Sequence, residues 1–138
     1  MTDTIEETHI QVGLSALAGN PALLHVFRDV VDNPTPDPPY VLVYPVVAWT
    51  RDGVGVALDA VQDTITTTFT CHCVGLTPSA AVVVQMQVRS SLLNLRPVIA
   101  GRSCGPVKQD DVQPAARDES LSYPVYDAVS IFSFISTG

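Results

Sequence analysis

The chain has 138 residues, 46% apolar and 15% charged, with seven basic against fourteen acidic side chains and a net charge of −7. That is the usual length of one domain, enough to bury a core and too short to divide comfortably, so residues 1–138 are read as a single domain. The acidic balance opposes specific nucleic-acid binding, which needs clustered Lys and Arg; Lys108 is the one lysine, and Arg28, Arg51, Arg89, Arg96, Arg102 and Arg117 are dispersed.

Charged residues fall well below the roughly one quarter usual in soluble chains, so neighbouring copies are expected to cover part of the surface. The alternative is a monomer coated with Thr, Ser, Gln and Pro. Residues 1–7 carry three acids and no base, unlike a secretory signal. The longest apolar run, residues 40–49, has ten residues interrupted by Pro45, too short to span a bilayer. The expectation is a protein that is neither secreted nor membrane-bound. Cys71, Cys73 and Cys104 cannot all pair internally, which fits a reducing interior better than a disulfide scaffold.

Along the chain, residues 3–17 carry Ile5, His9, Val12 and Ala16 at helical spacing, with acids in the first turn where the helix dipole favours them. Gly19, Asn20 and Pro21 stop that helix. Residues 22–31 read as a strand, with a short helix as the alternative. Residues 33–39, NPTPDPP, form a stiff loop or arm, either a rigid surface loop or a polyproline segment for a partner. Residues 40–50, YVLVYPVVAWT, predict a largely buried strand, broken or bulged at Pro45. A turn at residues 51–53 and a short returning strand at 54–58 follow.

The clearest strand covers residues 64–74. Ile65, Thr67, Phe69, Cys71 and Cys73 share one face, and Thr64, Thr66, Thr68, Thr70 and His72 the other. A Thr-rich face pairs readily, because β-branched side chains fit a pleat without needing burial. Thr77 and Pro78 open the strongest helix, as N-cap and first helical residue. It should run to about Leu95 with Ala81, Val84, Val88, Leu92 and Leu95 on its buried stripe, ended by Pro97. A strand near residues 103–107, an exposed loop or long hairpin over 108–120, and a β-rich run over 125–137 complete the chain. The fold class is α/β of the α+β type: a mixed or antiparallel sheet with one long helix (about 77–95) and a short N-terminal helix packed on it.

Catalytic and metal chemistry find little support. In a strand, Cys71 and Cys73 point to one face and His72 to the opposite one, so they cannot converge on one ion; buried thiols acting as small hydrophobes explain the pair. His9, His25 and His72 are scattered without a Gly-flanked nucleophile turn, and Asp110 and Asp111 read as solvated loop carboxylates. No catalytic, cofactor or metal residue is assigned, and the chain is read as an assembly subunit rather than an enzyme. The candidate subunit interface is Thr64, Thr66, Thr68 and Thr70, with Tyr40 and Trp49 as either interface anchors or core residues.

The order of elements resembles the tail terminator family of long-tailed bacteriophages, also called tail completion or head-to-tail joining proteins. The resemblance is carried by residues 39–44, by 66–95 (TTTFTCHCVGLTPSAAVVVQMQVRSSLLNL) and by the closing VYDAVSIFSFIST, residues 125–137. It spans most of the chain as pattern, length and character; the Pro-rich 33–39 segment has no place in that pattern. The resemblance implies a ring of copies, commonly six, at the head-proximal end of the virion tail, assembled in the host cytoplasm. Such a ring would cap the tail tube, stop its elongation and join the head–tail connector. Its partners would be further copies of itself, the tail tube protein and the neck proteins, with DNA passing through an acidic lumen. Alternatives are a neighbouring neck, head-completion or tail-tube subunit, or a small ligand-binding module or enzyme with a pocket near His25, His72 or Cys104.

Overall fold

A computed structural model of the chain describes residues 4–23, 25–31, 37–50, 64–118 and 124–138. Helix α1 (Ile5–Ala18) starts on Thr4, whose hydroxyl accepts the Glu7 N–H at 3.1 Å, with Glu6 and Glu7 in its first turn. A short strand β1 (Val26–Arg28) leads to the long β2 (Tyr40–Thr50) and β3 (Thr64–Gly75). Helix α2 (Pro78–Leu92) follows, then β4 (Ser103–Cys104), β5 (Lys108–Val112), β6 (Ala116–Asp118) and the final β7 (Val125–Thr137).

The strands form one mixed sheet in the order β1-β2-β3-β7, and the three short strands β4, β5 and β6 all pair with β7. Only β1 runs parallel to its neighbour β2; the other pairings are antiparallel. The long strands keep a simple register, with Phe69 opposite both Pro45 and Phe132, and Cys71 opposite both Val43 and Ser130.

Both helices pack on one face. Leu17, Val41, Val43, Phe69, Cys71, Cys73, Ala81, Val84, Val88, Leu92, Ile99, Val107, Phe132 and Phe134 belong to one buried cluster, and burying each large side chain contributes on the order of 2–3 kcal/mol. Gly13 lets α1 approach closely: a Cβ there would lie 2.5 Å from the tip of the Phe69 ring. Gly75 does the same at the β3–α2 junction, where a Cβ would meet the Ala81 nitrogen at 2.5 Å. A smaller cluster of Tyr40, Val74 and Val125, with Phe27 and Val31 against it, closes one end.

Several expectations need correction. The two helices are nearly equal, 14 and 15 residues, so there is no single long helix with a short companion. Helix α2 ends at Leu92, before the expected Leu95, because Leu93 is extended and Asn94 is left-handed at φ 64. The freed groups pair elsewhere: the Asn94 N–H donates to the Val107 carbonyl, and the Val107 N–H to that of Leu95. On α1 the buried residues are His9, Ile10, Gly13 and Leu17, while Ile5 is exposed; the buried stripe is centred on Gly13 because that is where Phe69 is met. The 22–31 strand shrinks to Val26–Arg28, ended by the left-handed Asp29.

Pro45 neither breaks nor bulges β2. The Val41 N–H donates to the His25 carbonyl and the Val43 carbonyl accepts from Asp29, so alternate residues of β2 turn their backbone groups toward β1. Pro45 shares their parity and lies beyond the last β1 pairing at Val43, so among the described strands its missing N–H leaves no rung unmade. Of the stretch expected as an exposed loop or long hairpin, residues 108–112 and 116–118 are the strands β5 and β6, each paired with β7, with a register shift between Gln109 and Asp111. The expected 103–107 strand is reduced to Ser103–Cys104. The predicted turn at 51–53 and strand at 54–58, and most of the Pro-rich segment, lie outside the described residues.

Candidate assembly surfaces

The strands that bury Phe69 and Phe132 on the helix side turn a second set of side chains to the opposite face. On β3 these are Thr64, Thr66, Thr68, Thr70 and His72, each half-buried. Register places Thr66 between Ala48 and Ile135, Thr68 between Val46 and Ser133, and Thr70 between Tyr44 and Ile131. A central threonine column thus lies between columns rich in aliphatic and aromatic side chains. Val46 is 58%, Ile135 43% and Tyr44 40% exposed, which on a sheet of regular register makes a continuous, mostly uncharged surface. On it His72 Nδ1 and Asp127 Oδ2 lie 2.7 Å apart, with the Tyr44 ring edge-on to His72 at 5.4 Å. The other Asp127 oxygen, Oδ1, is buried without a hydrogen-bond partner.

The other two candidate residues are less open. Tyr40 is 8% exposed, packed in the small cluster with its ring edge against Phe27 at 5.9 Å. Trp49 is half-buried on the helix side; its indole N–H donates to Glu6 Oε1 at 3.1 Å and the Arg102 guanidinium lies 5.6 Å from its ring centre. The structure therefore gathers the four threonines on one surface, buries Tyr40 at the end of that same face, opposite Val74, and turns Trp49 to the helix side.

Cys71 and Cys73 point into the core and His72 away from it, as strand geometry requires. Burial pushes the Cys71 thiol up to about 12 and raises that of Cys73 as well. No group of three or more His, Cys, Asp or Glu side chains that could hold a metal occurs among the described residues. Of the expected pocket residues, His25 borders a small crevice with Ala22, Leu23, Pro39, Tyr40, Val41 and Val84.

Sequence reasoning missed a polar link between distant parts of the chain. His9 is fully buried, with Nδ1 2.7 Å from the Ile5 carbonyl and Nε2 2.6 Å from Ser136 Oγ. A carbonyl only accepts, so Nδ1 carries the proton, and in the neutral ring Nε2 accepts from the Ser136 hydroxyl. Arg102 Nε donates to the same hydroxyl at 2.9 Å, and the His9 ring stacks on Phe134 with centroids 5.8 Å apart. A serine beside an imidazole invites a nucleophile reading. Here, however, a backbone carbonyl stands where an orienting carboxylate would be, and Ser136 is fully buried within a strand. The arrangement ties α1 to β7.

A second surface was also missed. Helix α2 buries Ala81, Val84, Gln85, Val88 and Leu92, with the Gln85 amide donating to the Gln113 and Val129 carbonyls at 3.0 and 3.1 Å. Its other side exposes Val82, Val83 and Met86. The signal was present in the run AAVVVQM, which is apolar around most of the helix and not along one stripe.

No family model matches the chain, and no curated protein does. Among solved structures, the chain is similar in fold to a chain of the virion of a native gene transfer agent particle. The TM-score is 0.63 at 18% sequence identity, over 97% of this chain and 95% of that one.

Proposed function

We propose that this chain is a structural subunit of a phage-like virion, and within that class a tail terminator. Copies close into a ring, six by the family resemblance, that caps the tail tube, stops its elongation and joins the tail to the head connector. The observation that carries the reading is the whole-chain likeness in fold to a chain of a gene transfer agent virion. It agrees in kind with the sequence resemblance, which was drawn from the order and character of the elements.

The chemistry of the chain supports assembly over catalysis. Only 15% of its residues are charged, and among the described residues no helix lies on the sheet face that carries the threonines. A ring subunit covers such surface with its neighbours. A net charge of −7 gives a ring wall that does not hold a passing phosphate backbone. In this reading the chain needs no cofactor and works at the head-proximal end of the tail.

The test is to add the purified protein to elongating tail tubes and to measure its mass with and without them. The expected result is a ring bound at one tube end, with elongation stopped. A protein that stays monomeric and never binds tubes overturns the reading. Incorporation along the tube points instead to a tube subunit, and binding to the connector alone to a neck subunit.

A further inference from the structure

Helix α2 is apolar on two sides. At 3.6 residues per turn, Ala81, Val84, Val88 and Leu92 form the stripe buried on the sheet, and Val83 and Met86 fall roughly opposite it. They are 55% and 63% exposed, with Val82 beside them at 39%. Pro114 and Ala115 border the same strip and make it one wall of an open groove of about 560 Å³. A helix that is apolar around most of its circumference is one covered on more than one side. The helix carries no acid, and Arg89, near its end, is its one base.

The sheet presents a surface of the same character. An antiparallel sheet open to water on one side ordinarily alternates apolar-in and polar-out. Here Tyr44, Val46, Thr66, Thr68, Ile131 and Ile135 run across three adjacent strands without a charged side chain, and Tyr44, Val46 and Ile135 are each at least 40% exposed. A helix laid on the sheet is the ordinary way to cover such a face.

The two surfaces look in opposite directions. The exposed strip of α2 points outward from the covered side of the sheet and the threonine face lies on the other side, so one molecule cannot join them. A second copy can. Residues 64–109, which include β3 and α2, contain Arg89, Arg96, Arg102 and Lys108 and no acid, so all fourteen acids lie elsewhere in the chain. Copies that each carry −7 repel one another wherever acidic surfaces meet. The α2 strip belongs to the part of the chain free of that repulsion, and the opposing sheet face brings Asp127 at one end, held against His72.

We propose that the outward strip of α2 of one copy packs across the threonine face of the next, so that each α2 lies between its own sheet and its neighbour's. Different patches meet on the two sides of this contact, so it repeats head to tail, and such contacts close rings when the rotation between copies allows. The proposal rests on the reading of the chain as a self-assembling virion subunit, and it names the two surfaces by which neighbours are held.

The experiment compares the masses of the full-length chain, Val46→Glu and Val83→Glu, with far-UV circular dichroism as the check on folding. Each variant alone is expected to fall to a single copy. Mixed, they should yield a two-copy species and nothing larger, since one intact helix strip then meets one intact sheet face. A second readout uses a chain carrying Thr68→Cys, Val83→Cys and Cys104→Ser, in which Cys71 and Cys73 are buried. Within one chain the two new thiols are separated by the sheet and by the roughly 10 Å thickness of the helix, so a short bismaleimide should link separate copies into multimer ladders. Variants that keep the wild-type mass, a mixture that stays single-copy, or the absence of links between copies overturns this contact while the ring reading stands. A two-copy species formed by either variant alone means that one face pairs with its own kind, and overturns it as well. A wild-type chain that is monomeric and never joins tubes removes the ring reading, and this contact with it.

Discussion

On the helix-covered face of the sheet, β3 and β7 contribute Phe69, Cys71, Phe132 and Phe134, all essentially removed from water. On the opposite face the same two strands contribute Thr66, Thr68, Thr70, Ile131 and Ile135, all partly open. The backbone is shared, and only the parity of the residue differs. The first face is filled by large apolar side chains with two helices above them, as a core must be. The second carries β-branched side chains of intermediate polarity, which tolerate water and also pack well against another surface. The contrast separates residues that hold the chain folded from residues available to join it to something else, and substitutions on the two faces should fail in different ways.

The largest effect is expected from Phe69→Ala, which empties the centre of the covered face. Unfolding in urea should show a loss of about 3–5 kcal/mol. A loss under about 1 kcal/mol would mean that the helices do not pack on that ring as described. Next is Gly13→Ala. Helix propensity alone would favour alanine by about 1 kcal/mol, yet a Cβ 2.5 Å from the Phe69 ring forces the core to shift, and overpacking of this kind costs about 1–3 kcal/mol. A net gain in thermal stability would show that α1 sits farther from the sheet.

A smaller effect concerns pH. The Cys71 thiol rises from 9.0 to about 12 through burial, so the unfolded chain loses this proton before the folded one does. Below about pH 9 both states keep it and the contribution is whole; between about 9 and 12 only the folded state keeps it, and stability falls as pH rises. Denaturation at pH 8 and pH 10 should show that fall, shallower in Cys71→Ala, and equal slopes would reject the assignment. The smallest effect on folding is expected from Thr68→Lys on the uncovered face, within about 0.5 kcal/mol. Its effect on assembly should be large if that face meets a neighbour. Unchanged oligomer mass would leave the threonine column without a role in assembly.

Much of the fold was legible because it depends on local order. The 40–50 strand matches β2 residue for residue, and the Thr/apolar alternation over 64–74 reports β3 because period two is a property of the strand itself. The start of α2 at Thr77 and Pro78 was readable for the same reason: the Thr77 hydroxyl accepts the Ala80 N–H at 3.0 Å, a bond made within one turn. The end of that helix was not readable, because Val107, well along the chain, takes up the backbone groups that a longer helix would have used.

The candidate surfaces divide in the same way. The threonine face could be named from sequence, whereas Tyr40 and Trp49 could not be assigned to core or interface until Phe27, Glu6 and Arg102 were seen around them. The groove along α2, lined by Val82, Val83, Pro114 and Ala115, was hidden because its far wall comes from a part of the chain that reads from sequence as an exposed loop or long hairpin. KQDDV has no apolar alternation, and only the free edge of β7 makes it a strand.

The sequence by itself determined the composition, the scarcity of charge, the parity of the long strands and the cap that starts α2, since each depends on residues within a turn or two of one another. Tertiary structure alone decided which face of the sheet the helices cover, where α2 stops, how Pro45 fits within a strand, and that His9, Ser136 and Arg102 meet. Those outcomes depend on which groups arrive from far along the chain to satisfy a hydrogen bond or exclude water, and local pattern carries no record of that.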